Sequence, residues 1–300
     1  MNWYDVDKAM LDNLESIYDD ATISKNDDNI KPDWISHHAE NTEFHILRKK
    51  DELLIVIGES WTYGESLPNI ATGIQQYNLG SQLRYAFGPK LAIALDFDLY
   101  QYAVPGNCNY YMIRSAERIV EYVTKNFNYK KIHLCFQLTD PGRELAVSNK
   151  LTDEFAEIYN FENKTFDDWL IDYDELFLNK LEEIQKKSNI EILVWKNFCS
   201  FNNKKQYTTL KLIQQTWIQF SAELLGIQLD AQKFQSVGWF DDFSSQFRRR
   251  LTLDRMKINS ELDKIERSNN FIKTNIFHKN HPTRLGHQVW ADKLYNEYTK

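Results

Sequence analysis

The order of apolar segments predicts an α/β fold, a three-layer sandwich with a central parallel sheet. Two observations carry the prediction. Short apolar runs alternate with amphipathic stretches of helical length, the order that feeds parallel strands through crossover helices. One run, Leu53-Leu54-Ile55-Val56-Ile57, is apolar at every position instead of every second one, as a strand covered on both faces must be.

Taken in order, residues 1–50 are polar and aromatic, with breakers at Asp27-Asp28-Asn29 and Lys31-Pro32. They read as a short helical or irregular lead-in packed on the core. Residues 51–300 then read as one α/β domain with an enlarged segment at about 150–275. Leu53–Ile57 is its central strand. A helix from Leu79 to Phe87 is expected to stop at Gly88-Pro89, and Leu91–Leu99 to run extended. A helix follows over Asn109–Phe127, with Asn109 as its N-cap and Ile113, Ala116, Ile119, Val120 and Val123 on one face. Ile132–Leu138 is the next strand. Trp169, Tyr173, Leu176, Phe177, Leu181 and Ile184 mark a long helix, and Ile190–Trp195 a further strand. Leu210, Ile213, Trp217, Phe220 and Leu224 repeat at 3-4-3-4 spacing, which reads as helix, and a last helix runs from Arg284 to Tyr298.

Composition narrows the classes of function. The chain has 300 residues, 42% of them hydrophobic, and a net charge of −7. That length buries a core without help from metal or disulfides, and the acidic balance argues against a nucleic-acid footprint. The basic run Arg248-Arg249-Arg250 follows Asp241-Asp242 and reads as a solvated or locally paired face. Cys108, Cys135 and Cys199 show neither CxxC nor metal-ligand spacing, so reduced, buried thiols are expected, with no metal and no cofactor. The segment starting Met1-Asn2-Trp3 lacks the pattern of a signal peptide, and no apolar run is long enough to span a membrane. A cytoplasmic protein without membrane or nucleic-acid partners is the expectation. Richness in Asn, Lys, Ile and Tyr suggests an AT-rich genome, such as that of a phage.

In parallel sheets ligands bind beyond the C-terminal ends of the strands, and the suspicious loops fall there. Ser60 stands in Gly58-Glu59-Ser60-Trp61-Thr62-Tyr63-Gly64, just after the first strand. Glycines on both sides allow a tight turn that presents the hydroxyl and its own N–H, although a plain strand-to-helix turn has similar residues. Ala103-Val104-Pro105-Gly106-Asn107-Cys108-Asn109 leads into a helix, and Gly106 could offer an unobstructed N–H. Gln137-Leu138-Thr139-Asp140-Pro141 offers the Thr139 hydroxyl, or simply a helix start. Far downstream, His281 precedes Pro282, which keeps the imidazole on a loop; His287 reads as packing or capping. A serine at a strand end and a distant loop histidine are the two parts that acyl chemistry needs.

Together these four segments resemble, in chain order, the blocks of the SGNH, or GDSL-like, hydrolases, whose fold is flavodoxin-like. Gly58–Gly64 resembles the nucleophile block, Pro105–Asn109 the glycine block, and Asn280-His281-Pro282 with Gly286-His287 the histidine block. Gln137–Asp140 takes the place of the asparagine block. The resemblance covers about residues 50–145 and 275–300. It implies Ser60 as nucleophile and His281 as general base. The Ser60 N–H, the Gly106 N–H and the Thr139 hydroxyl would then hold the oxyanion. The chain departs from the family at three positions. Thr139 replaces the oxyanion asparagine, as it does in some phage-encoded relatives, and Glu59 replaces the usual Asp. His278 stands where the family's acid is expected, which leaves another carboxylate, Asp140 or Glu59 being nearest, or a backbone carbonyl to orient His281. The implied function is a serine esterase acting on a small or carbohydrate acyl ester. The alternatives are a catalytically degenerate binding or structural module and, third, an acyltransferase using the aromatic loop Trp239–Phe243.

Overall fold

The computed structural model describes residues 21–25, 42–64, 67, 79–139, 166–197, 200–224, 277–278, 281–282 and 284–300. The first elements are β1 (Thr22–Lys25), β2 (Glu43–Leu47), β3 (Glu52–Gly58), α1 (Ser60–Tyr63), α2 (Leu79–Tyr85) and α3 (Phe87–Leu95). They lead into β4 (Asp98–Ala103), α4 (Asn109–Asn126), β5 (Lys131–Leu138), α5 (Phe166–Ser188), β6 (Glu191–Lys196) and β7 (Lys211–Leu212). The last are α6 (Trp217–Leu224), β8 (Phe277–His278), β9 (His281–Pro282) and α7 (Arg284–Thr299).

Seven strands form one sheet in the order β1-β2-β4-β3-β5-β6-β7, and β8-β9 form a separate pair. From β4 to β7 all neighbours are parallel, which gives the doubly wound α/β arrangement. Every side chain of Leu53–Ile57 is fully buried, in accord with the continuous apolar run. Leu53, Ile55 and Ile57 face a core closed by Ile113, Ile119 and Val123 of α4 and by Tyr173, Phe177 and Leu181 of α5. Leu54 and Val56 face the other core, closed by Phe87 and Leu91 of α3, Trp217 of α6 and Trp290 and Leu294 of α7. Strand periodicity thus divides one run between two helical layers.

Five expectations need correction. The lead-in carries strands: β1 pairs antiparallel with β2, and β2 antiparallel with β4, so the sheet is mixed at this edge. The missed signal was the alternation in Glu43-Phe44-His45-Ile46. Phe44 and Ile46 enter one core, while buried Glu43 on the other face accepts from the Tyr100 phenol and, at 2.7 Å, from Arg118 Nη2. His45, also buried, has its pKa lowered to about 4, because burial disfavours the imidazolium more than nearby Asp98 favours it.

The helix expected to end at Gly88-Pro89 breaks earlier, at Ala86, and Gly88-Pro89 begin α3 instead. A proline is tolerated in a first turn because its missing N–H would have no partner within the helix. Leu91–Leu95 is therefore helical, and the strand starts at Asp98. The N-cap of α4 is Cys108, because the Asn109 side chain is used elsewhere. Leu210 precedes the edge strand β7, and only Trp217–Leu224 is helical. Cys108 and Cys135 are buried thiols outside any disulfide, and burial pushes Cys135 up to about 12.

Candidate active site

Three loops leave the C-terminal ends of the adjacent strands β4, β3 and β5. The site they form lies where the chain, having wound from β3 to β4, switches to the other side of β3 to lay down β5. Gly58 ends β3 opposite Ala103 of β4, and the Gly58 carbonyl accepts from the Val104 N–H at 3.2 Å. The nucleophile and glycine loops are thereby held side by side.

After Gly58 the chain enters the single turn α1. Glu59 is its N-cap, and Gly64 ends it with φ 82°, a left-handed conformation that glycine adopts without Cβ strain. Ser60 is thus the first residue of the turn, where an N–H finds no carbonyl within the helix. Its side chain is 2% exposed, and its Oγ donates to Glu59 Oε2 at 2.6 Å.

Glu59 is the centre of the local hydrogen bonding. Its Oε1 accepts from Gln137 Nε2 at 2.7 Å, from Asn197 Nδ2 at 2.9 Å and from the Trp61 N–H at 3.3 Å. Gln137 comes from the end of β5 and Asn197 directly follows β6, so one buried carboxylate joins three strand ends. Gln137 also accepts from the Thr62 hydroxyl, which fixes the far side of the turn.

In the second loop, Val104-Pro105-Gly106-Asn107 closes a β-turn by an Asn107 N–H to Val104 carbonyl bond of 3.0 Å. Gly106 takes φ 75° there, the third-position geometry of a type II turn after proline. Thr139, 5% exposed, directly follows β5. Its N–H donates to Asn109 Oδ1 at 2.8 Å, and Asn109 Nδ2 donates back to the Thr139 carbonyl at 3.2 Å. Asn109 Nδ2 also donates to the Tyr173 hydroxyl at 2.6 Å. Sequence reasoning read Asn109 as a cap and overlooked this role in holding Thr139. It also overlooked Gln137 and Asn197. Their signal was a polar residue at or just after the C-terminal end of an otherwise apolar strand.

The hairpin strand β9, which carries His281, packs on α1, with Cα atoms of the two elements within 8 Å of each other. Within that hairpin, His278 is the cross-strand partner of His281. His287, fully buried, accepts the Phe87 N–H on Nδ1 at 3.2 Å and so caps α3 from α7; this is the packing and capping role expected of it. Asp140, Cys199, Arg248–Arg250 and the loop Trp239–Phe243 lie outside the described residues. Among the described residues no cluster of three or more His, Cys, Asp or Glu could hold a metal. No described helix is long and apolar enough to cross a membrane.

No family model matches the sequence, and no curated protein matches it. Among solved structures, the chain is similar to a lipolytic protein of the G-D-S-L family from Veillonella parvula. The two share 11% identity at a TM-score of 0.37, over 83% of this chain and 99% of the other. An acetylxylan esterase from Geobacillus stearothermophilus is similar at 12% identity and a TM-score of 0.34, over 82% and 93% of the two chains. A carbohydrate esterase family 2 enzyme from Corynascus thermopiles is similar at 14% identity and a TM-score of 0.37, over 83% and 65%.

Proposed function

We propose that this chain is a serine ester hydrolase that works through an acyl-enzyme on Ser60. The observation that carries the reading is the packing of the His281-bearing strand β9 on the turn that begins with Ser60. Ser60 Oγ attacks the ester carbonyl while His281 takes its proton, then returns it to the departing alcohol. Water repeats the cycle on the acyl-enzyme. The Ser60 N–H, the Gly106 N–H and the Thr139 hydroxyl receive the developing oxyanion, and the Asn109 bonds hold Thr139 in register for it. A small or carbohydrate acyl ester is the substrate class that the sequence resemblance implies.

The test is hydrolysis of p-nitrophenyl acetate and of an O-acetylated oligosaccharide. Ser60→Ala and His281→Ala should each lower kcat/KM by about a thousandfold or more. Undiminished turnover in Ser60→Ala would overturn the reading. One observation favours a second reading, a non-catalytic binding module: His278 pairs with His281 where a carboxylate would stabilise the imidazolium. In that case the wild-type chain would bind the oligosaccharide without cleaving it.

A further inference from the structure

Resting on that hydrolase reading, we propose that Glu59 performs the task of the acid that His278 cannot perform. Its Oε2 holds the Ser60 hydroxyl, and its negative charge stabilises the imidazolium formed when His281 accepts the serine proton.

Any nitrogen that takes the Ser60 proton must come within about 3.2 Å of Oγ. Oγ is 2.6 Å from Glu59 Oε2. The two contacts together place that nitrogen within about 6 Å of the carboxylate, the range in which an opposite charge favours protonation of an imidazole. Glu59 is 1% exposed, so little solvent screens the interaction. Gln137 and Asn197, both uncharged, anchor Oε1 from two strand ends and leave the carboxylate no freedom to swing away.

The proton balance closes. The Oγ–H turns from Glu59 Oε2 toward His281, its proton passes to the imidazole as the Oγ–C bond forms, and the carbonyl π pair moves onto the oxyanion. Collapse of the intermediate breaks the bond to the alcohol oxygen, which takes the proton from His281. Glu59 neither takes nor gives up a proton in this cycle and acts as a positioning residue. Other titratable or charged groups around His281 are His278 across the hairpin, Arg284 and His287 on the helix that follows, and Asp140 in the sequence next to Thr139. None of these but Asp140 carries negative charge.

The test is the pH dependence of kcat/KM for the wild type, Glu59→Gln, Glu59→Asp and His278→Asp. A base must be deprotonated to work, so activity falls below its pKa. A nearby carboxylate raises that pKa, so removing its charge moves the acid limb to lower pH. Glu59→Gln should shift the limb down by about one pH unit and lower the plateau by ~10²-fold or more. Glu59→Asp, which keeps the charge, should leave the limb within about 0.3 units. His278→Asp keeps Glu59 intact and tests the same point should Glu59→Gln not fold. It should raise kcat/KM by less than about threefold, because the task is already filled.

An unshifted limb in folded Glu59→Gln would overturn the proposal, as would a gain of tenfold or more in His278→Asp. Activity that persists in His281→Ala but vanishes in Glu59→Gln would also overturn it, by making Glu59 the base itself. In the first two cases the hydrolase reading stands whole; in the third Ser60 remains the nucleophile and His281 loses the role of base. A wild-type chain that hydrolyses no ester removes both.

Discussion

Gly58 sets the shape of the candidate site by what it lacks. A Cβ there would lie 2.6 Å from Gln137 Oε1 and closer still to the Thr62 hydroxyl. Thr62 lies in the turn that begins with Ser60 and Gln137 at the end of β5, and neither has room to retreat without breaking their mutual hydrogen bond. Gly58→Ala should therefore destabilise the chain by about 2–3 kcal/mol, read as a lower urea midpoint with an unchanged slope. A midpoint equal to wild type would show that the turn has slack. At this scale the sequence revealed the nucleophile candidate, because glycines around a serine at a strand end are a local signal. It could not reveal what Glu59 touches. Its partners Gln137 and Asn197 lie 78 and 138 residues away, and only the closed sheet brings those strand ends together.

Helix α6 shows how an element can be misread when two periodicities overlap. Leu210 and Ile213 belong to the segment around edge strand β7, yet their spacing continues smoothly into the helix that follows. The true start was written in Thr216-Trp217-Ile218-Gln219, a capping box. Thr216 Oγ1 accepts the Gln219 N–H at 3.1 Å, and Gln219 Oε1 accepts the Thr216 N–H at 2.9 Å. This eight-residue helix delivers Trp217, fully buried, against Trp61 at 5.3 Å and in a stack with Trp290 at 5.1 Å. So short a helix gains little from propensity, and its cap and its tryptophan hold it. Thr216→Val should cost about 1 kcal/mol in denaturant unfolding, whereas Thr216→Ser should cost much less. Equal losses in the two variants would mean that the hydroxyl caps nothing of value. The long helices α4 and α5 were legible because each repeats one apolar face over several turns.

Over the whole molecule, the parallel core was legible and its edge was not. Strands β3, β5 and β6 each carry a continuous apolar stretch (Leu53–Ile57, Leu134–Phe136 and Ile192–Trp195) because helices cover both faces, and that covering is visible as composition. Strand β2 carries Glu43 and His45, whose burial depends on Tyr100 and Arg118 of later elements, so its sequence looked like lead-in. The same topology gathers the loops after β4, β3 and β5 at one end of the sheet, so residues scattered through the chain form one site. The central claim is that this site makes Ser60 a nucleophile. It is tested most directly by intact-mass and peptide mass spectrometry after exposure to a fluorophosphonate across pH 6–9. The account predicts a single covalent adduct on the peptide containing Ser60, absent from Ser60→Ala; an unmodified wild-type chain, or an adduct that survives in Ser60→Ala, would contradict it.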